Sequence, residues 1–245
     1  MSAAQPLRIK EMTPDAVRRA AAANPRLILP IGTTEQHGLH LPLGADSIVV
    51  ERLADDLSAE FQVLRSPTIE YGVNDRVGQL FSGGASVRRK TLRRLVNDLL
   101  PDWERLGITD ILLLTMNGYT PHQEALGTVV APNARVRVID ILSMDFGSLV
   151  EYPDDPVHGG EIDTSLVMFV RPDLVRPEAA VDYILPEHAV RRYRRGSALL
   201  LPPESSGSIG RASKASAEKG RQLYERIQAR LRERLFAPNT PATVV

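Results

Sequence analysis

Short apolar runs alternate along the chain with longer segments whose apolar residues recur at helical spacing, the pattern of strands joined by helices. Leu27 to Ile31 is such a run and predicts a strand. Ser47 to Phe61 follows as a predicted helix, with Val49, Val50, Leu53 and Leu57 lining one face. Val63 to Ser66 predicts a short strand. Arg89 to Leu106 predicts a helix with Leu92, Leu95, Val96, Leu99 and Leu100 on one side and Arg or Asp on the other; Gly107 ends it. Asp110 to Met116 is continuously apolar after its first residue, as a central strand covered on both faces requires. It delivers Asn117-Gly118-Tyr119-Thr120-Pro121-His122, where Pro121 suits the first turn of another helix. Arg135 to Ile141 alternates and predicts a strand, Glu161 to Phe169 a helix, and Lys214 to Leu235 a long C-terminal helix. The expected fold class is α/β, a three-layer αβα sandwich with a mainly parallel central sheet. One domain over 1–245 is expected, since no repeat or linker divides the chain and the most loop-like stretch, 202–208, lies near its end.

In an open α/β sheet, ligands bind outside the carboxyl ends of the strands. Two polar segments leave strands at that edge, one after Ile31 and one after Met116. The first reads Gly32-Thr33-Thr34-Glu35-Gln36-His37-Gly38-Leu39-His40-Leu41-Pro42-Leu43-Gly44-Ala45-Asp46. Carboxylate oxygens beside imidazole nitrogens suit a borderline divalent ion such as zinc, manganese or iron. A solvated loop with helix-capping residues is the blander alternative.

Composition narrows the chemistry. Hydrophobic residues make up 43% and charged ones 24%, enough apolar mass for a core. Lys plus Arg and Asp plus Glu are both 30, so no net charge favours nucleic acid. The arginine runs at Arg191 to Arg195 and Arg230 to Arg234 read as solvated helix faces or a subunit contact. Cysteine is absent, which removes disulfides, thiolate nucleophiles and Cys-based metal sites. The first residues lack a signal-peptide pattern and no window is apolar enough for a membrane helix, so a cytoplasmic location with no membrane partner is expected.

The first polar segment resembles the signature of the creatininase family in Gly32-Thr33-Thr34-Glu35-Gln36-His37-Gly38, His40-Leu41-Pro42-Leu43 and Asp46. Met116-Asn117-Gly118, His158-Gly159-Gly160-Glu161-Ile162-Asp163-Thr164-Ser165 and Gly210 to Gly220 resemble the same family in the same order. The resemblance implies a metal-dependent amidohydrolase acting on an amide, lactam or other C–N bond of a small molecule, by hydrolysis or the related cyclisation or condensation. By position it implies that Glu35 and His37 bind two separate ions, that Asp46 bridges them, and that His158 assists proton transfer. It also implies a ring-like homo-oligomer, often a hexamer.

The chain departs from that family pattern. Tyr119 stands where a metal-binding histidine is usual, and Pro121, which binds nothing, stands two residues on. The family's Gly-x-Ser-x-x-His segment reads Gly72-Val73-Asn74-Asp75-Arg76-Val77, and a usual glutamate is Asp163, with Glu161 two residues earlier. Three arrangements stay open. In the first, one ion is held by His37, Asp46 and either Glu35 or His122. A metal-free site would use Glu35 and His158 as acid and base, with Tyr119 donating a hydrogen bond. A full pair of ions is the third. Asn117, His122, Glu161 and Asp163 are the expected substrate-binding residues. A specialised biosynthetic role fits an altered ligand set, and a catalytically silent ligand-binding or partner-supporting protein is the rival reading.

The other candidates have plainer readings. His40 is expected to support the site rather than ligate, His188 to lie on the surface and Trp103 to pack in the core. Phe81 and Gly83 are expected to preserve a turn near the site, and the loop 152–157 to shape the pocket. Ser165 and Thr164 lack the strained Gly-x-Ser-x-Gly setting of a nucleophile.

Overall fold

The computed structural model describes residues 4–74, 83–153, 158–194 and 201–236. Residues 75–77 of the altered motif, Phe81, the loop residues 154–157 and Arg195 lie outside the described residues. The sheet has five parallel strands: β1 (Leu7–Arg8), β2 (Arg26–Ile31), β3 (Leu64–Arg65), β4 (Asp110–Thr115) and β5 (Arg135–Asp140). Their order is β1-β3-β2-β4-β5. The helices are α1 (Pro14–Ala23), α2 (Ala45–Phe61), α3 (Arg89–Arg105), α4 (Thr120–Gly127), α5 (Glu161–Val170), α6 (Glu187–Arg194) and α7 (Ala217–Leu231).

Strand alternation sorts the core into two layers. Ile28, Leu112 and Leu114 point to one face and pack under α2, α5 and α7 through Val49, Leu53, Leu166 and Leu223. Leu27, Leu29, Ile31, Ile111 and Leu113 point to the other and pack under α1, α3 and α4 through Val17, Leu92, Val96 and Leu126. The result is a three-layer αβα sandwich. Each such leucine or isoleucine contributes on the order of 1.5–3 kcal/mol by leaving water.

The boundaries move where the sequence hides a cap or a break. The α2 helix begins at Ala45, so Asp46 lies in its first turn rather than in the loop before it. The C-terminal helix is interrupted: a short 3-10 turn (Ala212–Lys214) precedes α7, whose N-cap Ser216 accepts from the Lys219 amide, and a π-turn (Arg232–Phe236) follows it. The β1 strand and α1 add elements that periodicity did not reveal; Thr13 caps α1 by accepting from the Ala16 amide.

Strand register sets the site. Ile31 pairs with Thr115, and Thr115 pairs with Asp140, so β2, β4 and β5 end at one level. The segments carrying Glu35, Asn117 and Asp140 therefore leave the sheet side by side at its carboxyl edge.

Candidate active site

A cavity of about 500 Å³ opens at that edge. Its walls include Glu35, His37, Asp46, Asn117, Tyr119, Asp140, His158 and Asp163, together with Met116, Met144, Phe146, Val150 and Ile162.

Asn117 organises the acids. Its carbonyl oxygen Oδ1 accepts from the Tyr119 amide at 3.0 Å, which fixes the amide orientation. Its Nδ2 then donates to Glu35 Oε2 at 2.9 Å and to Asp46 Oδ2 at 3.0 Å. Thr33 Oγ1 adds a 2.8 Å donation to the same Asp46 oxygen. These bonds leave Asp46 Oδ1 turned to His37 Nε2 at 3.2 Å. His37 Nδ1 lies 3.1 Å from the Glu35 backbone carbonyl, which only accepts, so Nδ1 carries the proton and Nε2 faces the acids. Burial opposes a charge on this ring, but Asp46 and then Glu35 outweigh it and lift its pKa to about 10. Burial likewise opposes the Asp46 carboxylate, and His37 more than offsets it, holding Asp46 below the usual range.

His158 sits beside this group, its ring stacked on His37 with centroids 4.4 Å apart and its Nε2 3.9 Å from Glu35 Oε1. Gln36 Oε1 accepts from the Gly38 amide, so its Nε2 is the group 3.1 Å from His158 Nε2, and the imidazole nitrogen must accept. Burial, and then the charge on His37, push His158 down to about 3, so the ring is neutral. The approach depends on Gly159. Its φ is +69°, and a Cβ there would stand 2.2 Å from the His37 carbonyl oxygen, closer than any side chain tolerates.

Asp163 lines the cavity and accepts from the Gly159 amide at 2.6 Å, while burial lifts its pKa to about 6. Tyr119 also lines the cavity, from the N-cap of α4. His122 is held elsewhere. It is fully buried; its Nδ1 accepts from the Val73 amide at 3.2 Å and its Nε2 meets Thr115 Oγ1 at 3.1 Å, so neither nitrogen is offered to the acids or the cavity. Glu161 is buried away from the cavity lining and bonded to Lys219 Nζ of α7. His40 bonds Thr164 Oγ1 at 2.9 Å and braces α5 from behind, and His188 is exposed. Trp103 is half-buried against the α1/α3/α4 core layer.

Sequence reasoning passed over Gln36 and Asp140. Gln36 stands between the two ligand-type residues, and an amide able to donate and accept at once was the available signal. Asp140 ends an alternating strand, where an aspartate reads as a cap. It is one, accepting from the Leu142 amide at 3.0 Å, but it also faces the cavity.

Among the described residues, Glu35, His37 and Asp46 are the group able to close on one ion, with one donor atom from each within 4.8 Å of the others. Two carboxylates and an imidazole whose far nitrogen donates to a carbonyl are the donor set and outer bond expected around a borderline divalent ion. The residues present fit one ion.

Fold and site thus define an α/β protein with a carboxylate–imidazole pocket at the sheet's carboxyl edge. The chain belongs to the creatininase family: the family model for creatinine amidohydrolase matches residues 10–235. It is 25% identical over 232 residues to creatinine amidohydrolase of Pseudomonas putida, covering 84% of this chain and 87% of that one. It is 26% identical over 224 residues to a mycofactocin precursor peptide peptidase of Mycobacterium tuberculosis, covering 83% and 81%. A solved manganese form of creatininase shares the fold with a TM-score of 0.76 at 23% identity, covering 95% of this chain and all of that one.

Proposed function

We propose that this protein is a hydrolase of an amide, lactam or related C–N bond in a small molecule, working as one domain with a single divalent ion held by Glu35, His37 and Asp46. The observation that carries the reading is the convergence of these three donors with His158 on one cavity. A divalent ion bound there supplies an activated water and polarises the carbonyl under attack. The chain's own residues do the rest. Asn117 locks both carboxylates, so the donor set is ordered before any ligand arrives. His158, neutral and with Nε2 3.9 Å from Glu35, takes a proton from the attacking water once that water displaces the Gln36 amide from Nε2, and returns it to the departing nitrogen. Tyr119 and Asp163 face the same space and serve substrate contacts. The relatives' names support the bond type: one acts on creatinine and another on a precursor peptide.

The test combines metal analysis with turnover of a lactam and amide panel that includes creatinine and short peptides. One equivalent of ion, turnover abolished by chelator, and a loss of roughly 10²–10⁴-fold in kcat for His158→Ala with the ion retained are expected. Turnover that survives chelator but fails in Glu35→Gln would move the reading to metal-free acid–base chemistry. Ligand binding without turnover of any panel member would make it a binding protein.

A further inference from the structure

The cavity gathers carboxylates. Glu35, Asp46, Asp140, Asp145 and Asp163 line it, and no Lys or Arg does so among the described residues. Glu35 and Asp46 are answered by His37 and Asn117. Asp140 is not answered by any cation among the described residues. Its Oδ1 is spent on the Leu142 amide, whereas Oδ2 lies toward Gly118, where even a Cβ would come no nearer than 3.7 Å. It also stands outside the group of donors close enough to share one ion. Asp163, 2% exposed and on the same cavity, leaves its Oδ1 with no hydrogen-bond partner. A carboxylate taken from water without a positive partner costs free energy, and a cavity that keeps Asp140 so, with an unbonded Asp163 oxygen on the same wall, is shaped for a cationic guest. Beside Asp140 the wall turns apolar at Met144, Phe146 and Val150, which follow β5 directly.

We propose that the β5 end of the cavity is an ammonium subsite: a protonated amine of the substrate donates to Asp140 Oδ2, and an apolar group next to that amine packs on Met144, Phe146 and Val150. This rests on the proposed hydrolase reading for the bond that is cut, and it adds the substrate class: amides carrying a basic nitrogen flanked by an apolar group. Asp140 is then a specificity residue. It contacts substrate away from the reacting carbonyl and leaves the ion-binding triad untouched.

Binding tests this without turnover. Phenethylamine and its uncharged N-acetyl derivative share an apolar ring and differ in charge. Isothermal titration of each into the manganese-loaded protein at pH 7.5, and into protein stripped by chelator, reads the preference directly. The amine should bind at least about tenfold more tightly than the N-acetyl probe in both forms, as a buried charge-assisted bond allows. Asp140→Asn, which keeps the cap to Leu142, should bring the two probes within about threefold. Equal affinities in the unaltered protein, or no measurable binding of either probe, overturn the proposal even if the variant does not fold. Displacement of the amine by a second equivalent of manganese overturns it too, since the cation for Asp140 would then be a metal. A protein with no amidase activity that still prefers the amine would sink the hydrolase reading and leave the subsite standing.

Discussion

His37 and His122 leave neighbouring strands of one sheet and are both buried, at 3% and 0% exposure, yet they end in opposite states. His37 meets Asp46 and is lifted to about 10; His122 meets a backbone amide and a hydroxyl and, chiefly through burial, falls to about 4. Burial alone pushes both rings toward neutrality. The difference is the partner. An acid 3.2 Å away makes His37 a cation or a ligand, whereas the Val73 amide donating to Nδ1 leaves His122 nowhere to hold a second proton.

The sharpest way to break this contrast is metal affinity. His37→Ala should weaken binding of manganese or zinc by about a thousandfold, because one of three donors is lost, while His122→Ala should leave it within about threefold. Competition against a chromophoric chelator measures both. A comparable loss in the two variants would mean that His122 swings into the site.

Stability against pH gives the next largest effect. The folded pKa of His122 lies near 4, below its ordinary 6.5, so between those values the unfolded chain binds more protons than the native one. The stabilisation is complete above pH 6.5 and is lost as pH falls toward 4, about 3 kcal/mol in all for a fully buried ring. Urea unfolding of the unaltered protein and His122→Gln across that range should diverge by this amount. Parallel curves would refute the locked neutral state.

Asp140 supplies a smaller effect of the mirror sign. Burial lifts its pKa to about 6, so the native state holds this proton more tightly, and a penalty appears as pH rises through 6. Asp140→Asn should therefore be more stable than the unaltered protein at pH 8, by about 1 kcal/mol after allowing for its partial exposure, and equal to it at pH 4. A thermal melt at each pH decides it.

How far the sequence could be read follows from the range of the forces involved. The β2 and β4 strands, the helix faces and the Glu35–His37–Asp46 run are local patterns, and the register of parallel strands carries them to one edge. His122 could not be placed that way. Three residues past the Tyr119 N-cap, the α4 turn carries it back under Thr115, a contact that spacing along the chain does not express. The sequence reads Glu161 as a substrate group because its partner Lys219 is 58 residues away. The α1 helix gives a weak periodic signal although Thr13-Pro14-Asp15 is a legible helix start, since only Val17 and Ala21 of its face are buried.

The α5–α7 contact has a consequence for how this scaffold can be altered. Gly220 lies so close to Ser165 that a Cβ would meet its carbonyl oxygen at 1.8 Å, and Lys219, one residue before it, grips Glu161. The C-terminal helix is thus a clasp on the helix whose first turn carries Asp163 and whose approach carries His158. Trimming or grafting at that end of the chain will be felt in the pocket, far from the cut in sequence and next to it in space.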